Sequence, residues 1–145
     1  MEITEEQYIK ERLEDQINWY DTKSQKAQKR YKFFKGCVIV LSASIPLLVG
    51  FIPEWKVWAT VVGVIGVLIA GIEGWLGLAK YHENWIEYRA ICETLRHEKY
   101  MYLTKTGVFD MDSNTQIFKT LVERVESIIS NENVNWASLN NNDGR

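Results

Sequence analysis

Residues 57–79 read VWATVVGVIGVLIAGIEGWLGLA, an unbroken apolar run in which a single residue, Glu73, ionises. As a helix rising 1.5 Å per residue it covers about 34 Å, enough to cross the roughly 30 Å hydrocarbon core of a bilayer with some tilt. Upstream, residues 36–52 carry no charge and as a helix cover about 25 Å, with Phe33 and Phe34 able to extend the run. Pro46 falls inside it, tolerated as a kink in a lipid-embedded helix when groups such as Ser42 and Ser44 help to satisfy the freed carbonyl. Only Pro53, Glu54, Trp55 and Lys56 lie between the runs. So short a connection predicts a helical hairpin with both of its ends on one side.

The whole-chain average conceals this. With 145 residues, 46% hydrophobic and 25% charged, the chain has the composition of an ordinary soluble domain, yet its apolar residues are concentrated in the two runs and its charge in the flanks. The net charge of −2 and the lack of a basic surface interleaved with aromatics speak against nucleic-acid binding. Cys37 and Cys92 match neither a disulfide framework nor a zinc spacing, and a reducing cytoplasm fits both. The first apolar stretch arrives after some thirty-five polar residues rather than behind a short basic start, so insertion is expected to use the spans themselves and no secretory signal. Lys23, Lys26, Lys29, Arg30, Lys32 and Lys35 precede the first span and Lys80 follows the second, against Lys56 alone in the turn. By the positive-inside rule both termini are cytoplasmic, in a multi-pass protein of the inner (plasma) membrane. Trp55 and Trp58 then mark the outer aromatic belt and Tyr31, Tyr81 and Trp85 the inner one.

The flanks read as helices. Thr4 and Gln7 have capping-box spacing, and Ile9, Leu13, Ile17, Tyr20, Ala27, Tyr31 and Phe34 follow at helical intervals without a breaker, predicting one helix from Thr4 to Ile52. After the second span Tyr81, Trp85, Tyr88, Cys92, Leu95 and Tyr102 recur in the same way until Gly107 ends the helix. Ser113 and Gln116 open a third, short cytoplasmic helix carrying Ile117, Leu121, Val125, Ile128 and Ile129 on one side. The expectation is an all-α membrane protein: a two-transmembrane hairpin with long cytoplasmic helical extensions, residues 1–131 forming one domain. An Asn-rich tail with Trp136, residues 132–145, is expected to be flexible.

On a wheel turning 100° per residue, Ala59, Gly63, Gly66, Ala70, Glu73 and Gly77 share a narrow sector, which Lys80 and Asn84 continue. Two readings stay open. Small residues let helices approach closely in lipid, so this face packs against the first span or a neighbouring subunit. Alternatively it lines a pore, because Glu73 sits about 9 Å inside the helix end, where a lipid-facing charge costs up to ~3 kcal/mol. In a symmetric oligomer its copies form an acidic ring that attracts cations. Against the pore stands an ion pair between Glu73 and a lysine from the first helix, or a protonated carboxyl.

Other motifs dissolve under their spacing. The glycines at 71, 74 and 77 lack the strand and register of a nucleotide loop. Asp110, Asp112 and Asn114 imitate half a calcium loop but place Thr115 where glycine is required and Leu121 where the bidentate glutamate belongs. His82 and His97 have no ligand partners at metal spacing, and no serine or cysteine has a base or oxyanion motif. Glu83, Glu87, Arg89, Glu93, Arg96, Glu98 and Lys99 alternate in sign three or four apart, as a solvated helix face does. No catalytic residue, metal or cofactor is expected.

Two stretches are more distinctive: residues 12–20, RLEDQINWY, and residues 83–89, ENWIEYR, followed by Glu93, Leu95, Arg96, Glu98 and Lys99. Over residues 8 to 130 the chain resembles the bacterial SLATT family of two-transmembrane effector domains. The resemblance implies a pore-forming membrane effector in anti-phage systems, encoded near nucleotide-synthesising or nucleotide-sensing proteins, and so a regulator tied to a nucleotide signal. It singles out Trp19, Tyr20, Trp85, Tyr88 and Arg89, which with Asn84 are expected to form the cytoplasmic collar of a homo-oligomer through aromatic and guanidinium contacts, or else a ligand pocket. The functional expectation is an ion-conducting, cation-preferring channel; the rival is a nonconducting membrane scaffold whose cytoplasmic bundle recruits a partner.

Overall fold

The computed structural model describes residues 2–142, with side chains described as far as Glu132. Four helices and short connections account for them: α1 (Glu5–Val49), α2 (Val57–Ala79), α3 (Tyr81–Thr104) and α4 (Asn114–Asn142), with a 3₁₀ turn at Gly107–Phe109. Among the described residues there is no strand. Two compact units form, Met1–Thr22 with Tyr88–Arg145, and Lys23–Glu87.

In the first unit α1 starts at the predicted capping box, with Thr4 and Gln7 bonded reciprocally. A π-helical segment, Tyr8–Leu13, follows at once. A π turn spaces contacts by five residues rather than four, and this brings Tyr8 onto the same face as Leu13, where a regular helix would present Ile9. Tyr8, Leu13, Ile17 and Tyr20 meet Cys92, Leu95 and Tyr102 of α3, Phe109 of the 3₁₀ turn, and Ile117, Leu121, Val125 and Ile129 of α4 in one core. Each helix contributes an i, i+3, i+4 stripe, the pattern by which a three-helix core excludes water.

Gly107 does not end α3. The helix stops at Thr104, with Lys105 in the left-handed region (φ 52°), its N–H bonded to Tyr102 and that of Thr106 to Met101. This is the paired-carbonyl closure of a Schellman motif, placed on a lysine. Nor is α4 short. It runs past residue 132, where a tail is expected, to Asn142, since no glycine or proline interrupts residues 114–142. The side chains beyond Glu132, Trp136 included, and residues 143–145 lie outside the described residues.

The second unit is the hairpin. Its buried and half-buried positions include, on α1, Ser24, Tyr31, Val38 and Ile45, interleaved with Ala27, Phe34, Leu41 and Leu48, and on α2 Trp58, Ile65, Ile72 and Ala79, interleaved with Val62, Ile69 and Leu76. Both series repeat every seven residues, the seam of an antiparallel left-handed coiled coil. Contacts along it confirm the antiparallel order, from Phe51–Trp58 at the turn through Lys35–Glu73 to Phe34–Tyr81 and Tyr31–His82. Helix α1 continues through Pro46 but ends at Val49, so the turn is Gly50 to Lys56 rather than four residues. Ser44 Oγ donates to the Leu41 carbonyl at 2.7 Å. At the other end Lys80 adopts φ 51°, ψ 38° and separates α2 from α3. A left-handed non-glycine residue costs about 1–2 kcal/mol, which the flanking helices must offset.

Both apolar helices are long enough to cross a membrane, and their apolar stretches lie almost wholly outside the core. Phe33, Ile39, Val40 and Leu47 on α1 and Val67 and Leu78 on α2 are all exposed.

Candidate functional site

Helix α2 presents three chemically distinct sectors. One is the seam just described. A second, centred about 120° away on the wheel, holds Val57, Val64, Val67, Leu68, Trp75 and Leu78, large apolar side chains that are all exposed. The third contains Ala59, Gly63, Gly66, Ala70, Glu73, Gly77 and Lys80, every one of them exposed. A methyl group built on Gly63, Gly66 or Gly77 would touch nothing within 4 Å. The glycines of this face therefore do not pack against the first span, contrary to that reading: on α2 mainly Trp58, Val62, Ile65, Ile69, Ile72 and Leu76 make the seam, and the glycines are left over.

Glu73 stands at the edge of the small sector nearest the seam, within reach of α1. Lys35 Nζ donates to both of its carboxylate oxygens, at 2.8 and 3.0 Å. The pair is half exposed on both sides, so it neutralises the acidic residue within one chain without removing it from the surface.

The six collar residues divide between the units. Trp19 and Tyr88 meet edge to face with ring centroids 5.9 Å apart, and Tyr20 lies 4.9 Å from Trp19. Tyr20 is the buried member, its hydroxyl donating to Glu132 at 2.9 Å. Arg89 pairs with Asp21 at 3.1 Å and with Glu93 at 2.7 Å in the same chain. Trp85 and Asn84 belong to the hairpin unit, where Lys32 lies over the Trp85 ring at 5.9 Å and Ser24 donates to the Trp85 carbonyl. Arg30 stands over Tyr81 in the same way. In these two contacts the cations, Lys32 and Arg30, are residues the collar motif does not contain.

A family model described as "Protein of unknown function (DUF4231)" matches residues 15–116, most of the chain. The chain belongs to the DUF4231 family. The matched stretch takes in all of α2 and α3, the collar residues and the Lys35–Glu73 pair, and stops just inside α4. No curated protein and no solved structure matches the chain.

In this DUF4231 protein the three-helix unit also holds polar clusters that sequence spacing does not reveal, because their members lie far apart in the chain. Arg12 forks onto Glu126 with two bonds of 3.0 Å, and the Tyr8 hydroxyl donates to the same carboxylate. Arg124 forks onto Glu98 at 2.6 and 2.7 Å. Glu98 is buried, contrary to the solvated face expected of its charge run. Lys99 reaches Glu14 at 2.9 Å, and Tyr102 bonds Glu5. Among the described residues no group of His, Cys, Asp and Glu gathers to hold a metal ion. Burial raises the Cys92 thiol and the Tyr8 and Tyr20 hydroxyls above their ordinary values, so these groups stay protonated at neutral pH.

The Arg12 fork, aided by the Tyr8 hydroxyl, holds the Glu126 carboxyl below the usual 4.5. A carboxyl depressed on folding contributes stability that is complete above its unfolded value and lost as pH falls through its folded one. Acidification through the carboxylate range is accordingly expected to loosen α4, read as faster amide exchange. Glu126→Gln should be weaker at neutral pH and less sensitive to acid; an unchanged acid response would show that this carboxyl is not the cause.

Proposed function

We propose that the chain is a plasma-membrane protein with cytoplasmic termini whose copies assemble through the small sector of α2 around a cation-preferring ion path. The observation that carries this reading is the small sector itself. A helix meant only to be solvated by lipid has no use for a face of glycine and alanine beside a face of exposed valine, leucine and tryptophan. One hairpin encloses nothing, so the path requires several copies, with Glu73 at one depth in each. The exposed large residues of α1 and α2 are the surface offered to acyl chains. The basic residues at the inner end set the orientation. The SLATT resemblance supplies the setting: a bacterial defence effector whose opening depends on a nucleotide-linked regulator.

The Lys35–Glu73 pair favours a second reading, a nonconducting membrane scaffold in which Glu73 fastens the hairpin and the three-helix unit recruits a partner. Ionic current across planar bilayers separates the two. For a channel, Glu73→Gln is expected to weaken cation preference and Lys35→Gln, which frees the carboxylate, to strengthen it. Silence from folded oligomers of all three chains, with cell extract added as activator, would leave the scaffold standing.

A further inference from the structure

The cations on α1 ahead of the apolar run are only partly consumed by the fold. Lys23, Lys26, Lys29 and Arg30 fall within about 120° of one another on the helical wheel, together with Phe33, in a sector turned away from the seam of Ser24, Ala27, Tyr31 and Phe34. All four cations and Phe33 are exposed. Arg30 and Lys32 lean on Tyr81 and Trp85, while Lys26 and Lys29 make no ion pair among the described residues. Of the acids in the same unit, Glu73 is paired with Lys35 and not with this sector.

Position matters as much as charge. Lys29 lies about 10 Å and Lys26 about 15 Å along the helix from Gly36, where the apolar run begins. Those are the depths of a headgroup layer and of the charged solution just beyond it, within a Debye length of the phosphates. Phe33 reaches into the acyl boundary from the same side.

We propose that this sector binds the phosphate headgroups of anionic phospholipids in the leaflet facing the termini. The inference rests on the membrane reading above. Its occupant follows from continuity with the exposed apolar band and from charge: a sector of cations abutting apolar side chains complements a lipid that has a phosphate at one end and a hydrocarbon tail at the other.

The test uses the full chain reconstituted in phosphatidylcholine vesicles with and without phosphatidylglycerol, then extracted in mild detergent, with retained lipids counted by mass spectrometry. The native chain is expected to retain phosphatidylglycerol over phosphatidylcholine. Lys26→Gln and Lys29→Gln should each reduce that enrichment roughly fivefold, the equivalent of about 1 kcal/mol per cation. Lys119→Gln removes the same charge from an exposed position in the other unit and should change nothing. No enrichment, or equal losses in all three variants, would overturn the proposal. A chain that fails to float with either vesicle would instead overturn the membrane reading, so the two failures are distinguishable.

Discussion

Leucine in place of both Gly63 and Gly66 is expected to leave each hairpin folded and to dissolve the oligomer, with loss of the bilayer current. The two expectations have separate physical causes. Within one chain a Cβ on either glycine meets nothing within 4 Å, and the seam that holds α2 to α1 lies on another sector, through Val62, Ile65, Ile69 and Ile72. Leucine is also the better helix former, by roughly 0.5–1 kcal/mol per site. Between chains the effect reverses. Helices associate in lipid through close backbone approach, and two leucines at that contact hold the axes apart, forfeiting the dispersion contacts that replace a hydrophobic driving force there. Gly71→Leu is the matching control, because Gly71 lies in the sector of Val64, Val67 and Leu78, where one more leucine only adds to an exposed apolar surface. Subunit counting by photobleaching in vesicles should give single chains for the double variant and the native number for Gly71→Leu. Oligomers that persist in the double variant with unaltered current would mean that the small sector faces lipid, and the proposed path would have no wall.

The fold was largely legible in the sequence because its signals are local. Two charge-free runs, a capping box at Thr4 and Gln7, and stripes such as Ile117, Leu121 and Val125 each declare a helix or its buried face without reference to the rest of the chain. What escaped was non-local or a matter of phase. Tyr8 reaches the core because a π turn shifts the register by one residue, and nothing in the spacing of residues 8–13 announces it. Glu98 reads as one more charge on a solvated face until Arg124, twenty-six residues on, is seen beside it. The collar motif fared similarly: Trp19, Tyr20 and Tyr88 do meet, but Arg89 is absorbed by Asp21 and Glu93, partners whose claim on it no aromatic spacing reveals. The small sector of α2 was visible as a pattern, though composition alone could not say that the first span would leave it uncovered.

Among the polar contacts of the three-helix unit, the strongest stability effect is expected from Arg124→Ala. Glu98 has 5% of its side chain exposed and receives two short bonds from the Arg124 guanidinium, which is itself 44% exposed. A buried carboxylate gains little from its partner relative to an apolar pair, since desolvation offsets most of the attraction, but stripping away the partner alone leaves the full desolvation penalty unanswered. Breaking a wholly buried pair costs about 3–5 kcal/mol; with one member this open to water, about 2–3 kcal/mol is the appropriate figure. The same asymmetry predicts that Glu98→Leu combined with Arg124→Met recovers most of the loss, because it removes the stranded charge and fills its place with carbon. Amide exchange along α3 and α4 in the full chain reads the difference without requiring the hairpin to unfold. Lys119→Ala, exposed and paired with Glu123 only at 4.0 Å, sets the baseline and should stay within about 0.5 kcal/mol of the native chain. If Arg124→Ala costs no more than that baseline, water reaches Glu98 once the arginine is gone, and this pair contributes nothing to holding α3 against α4.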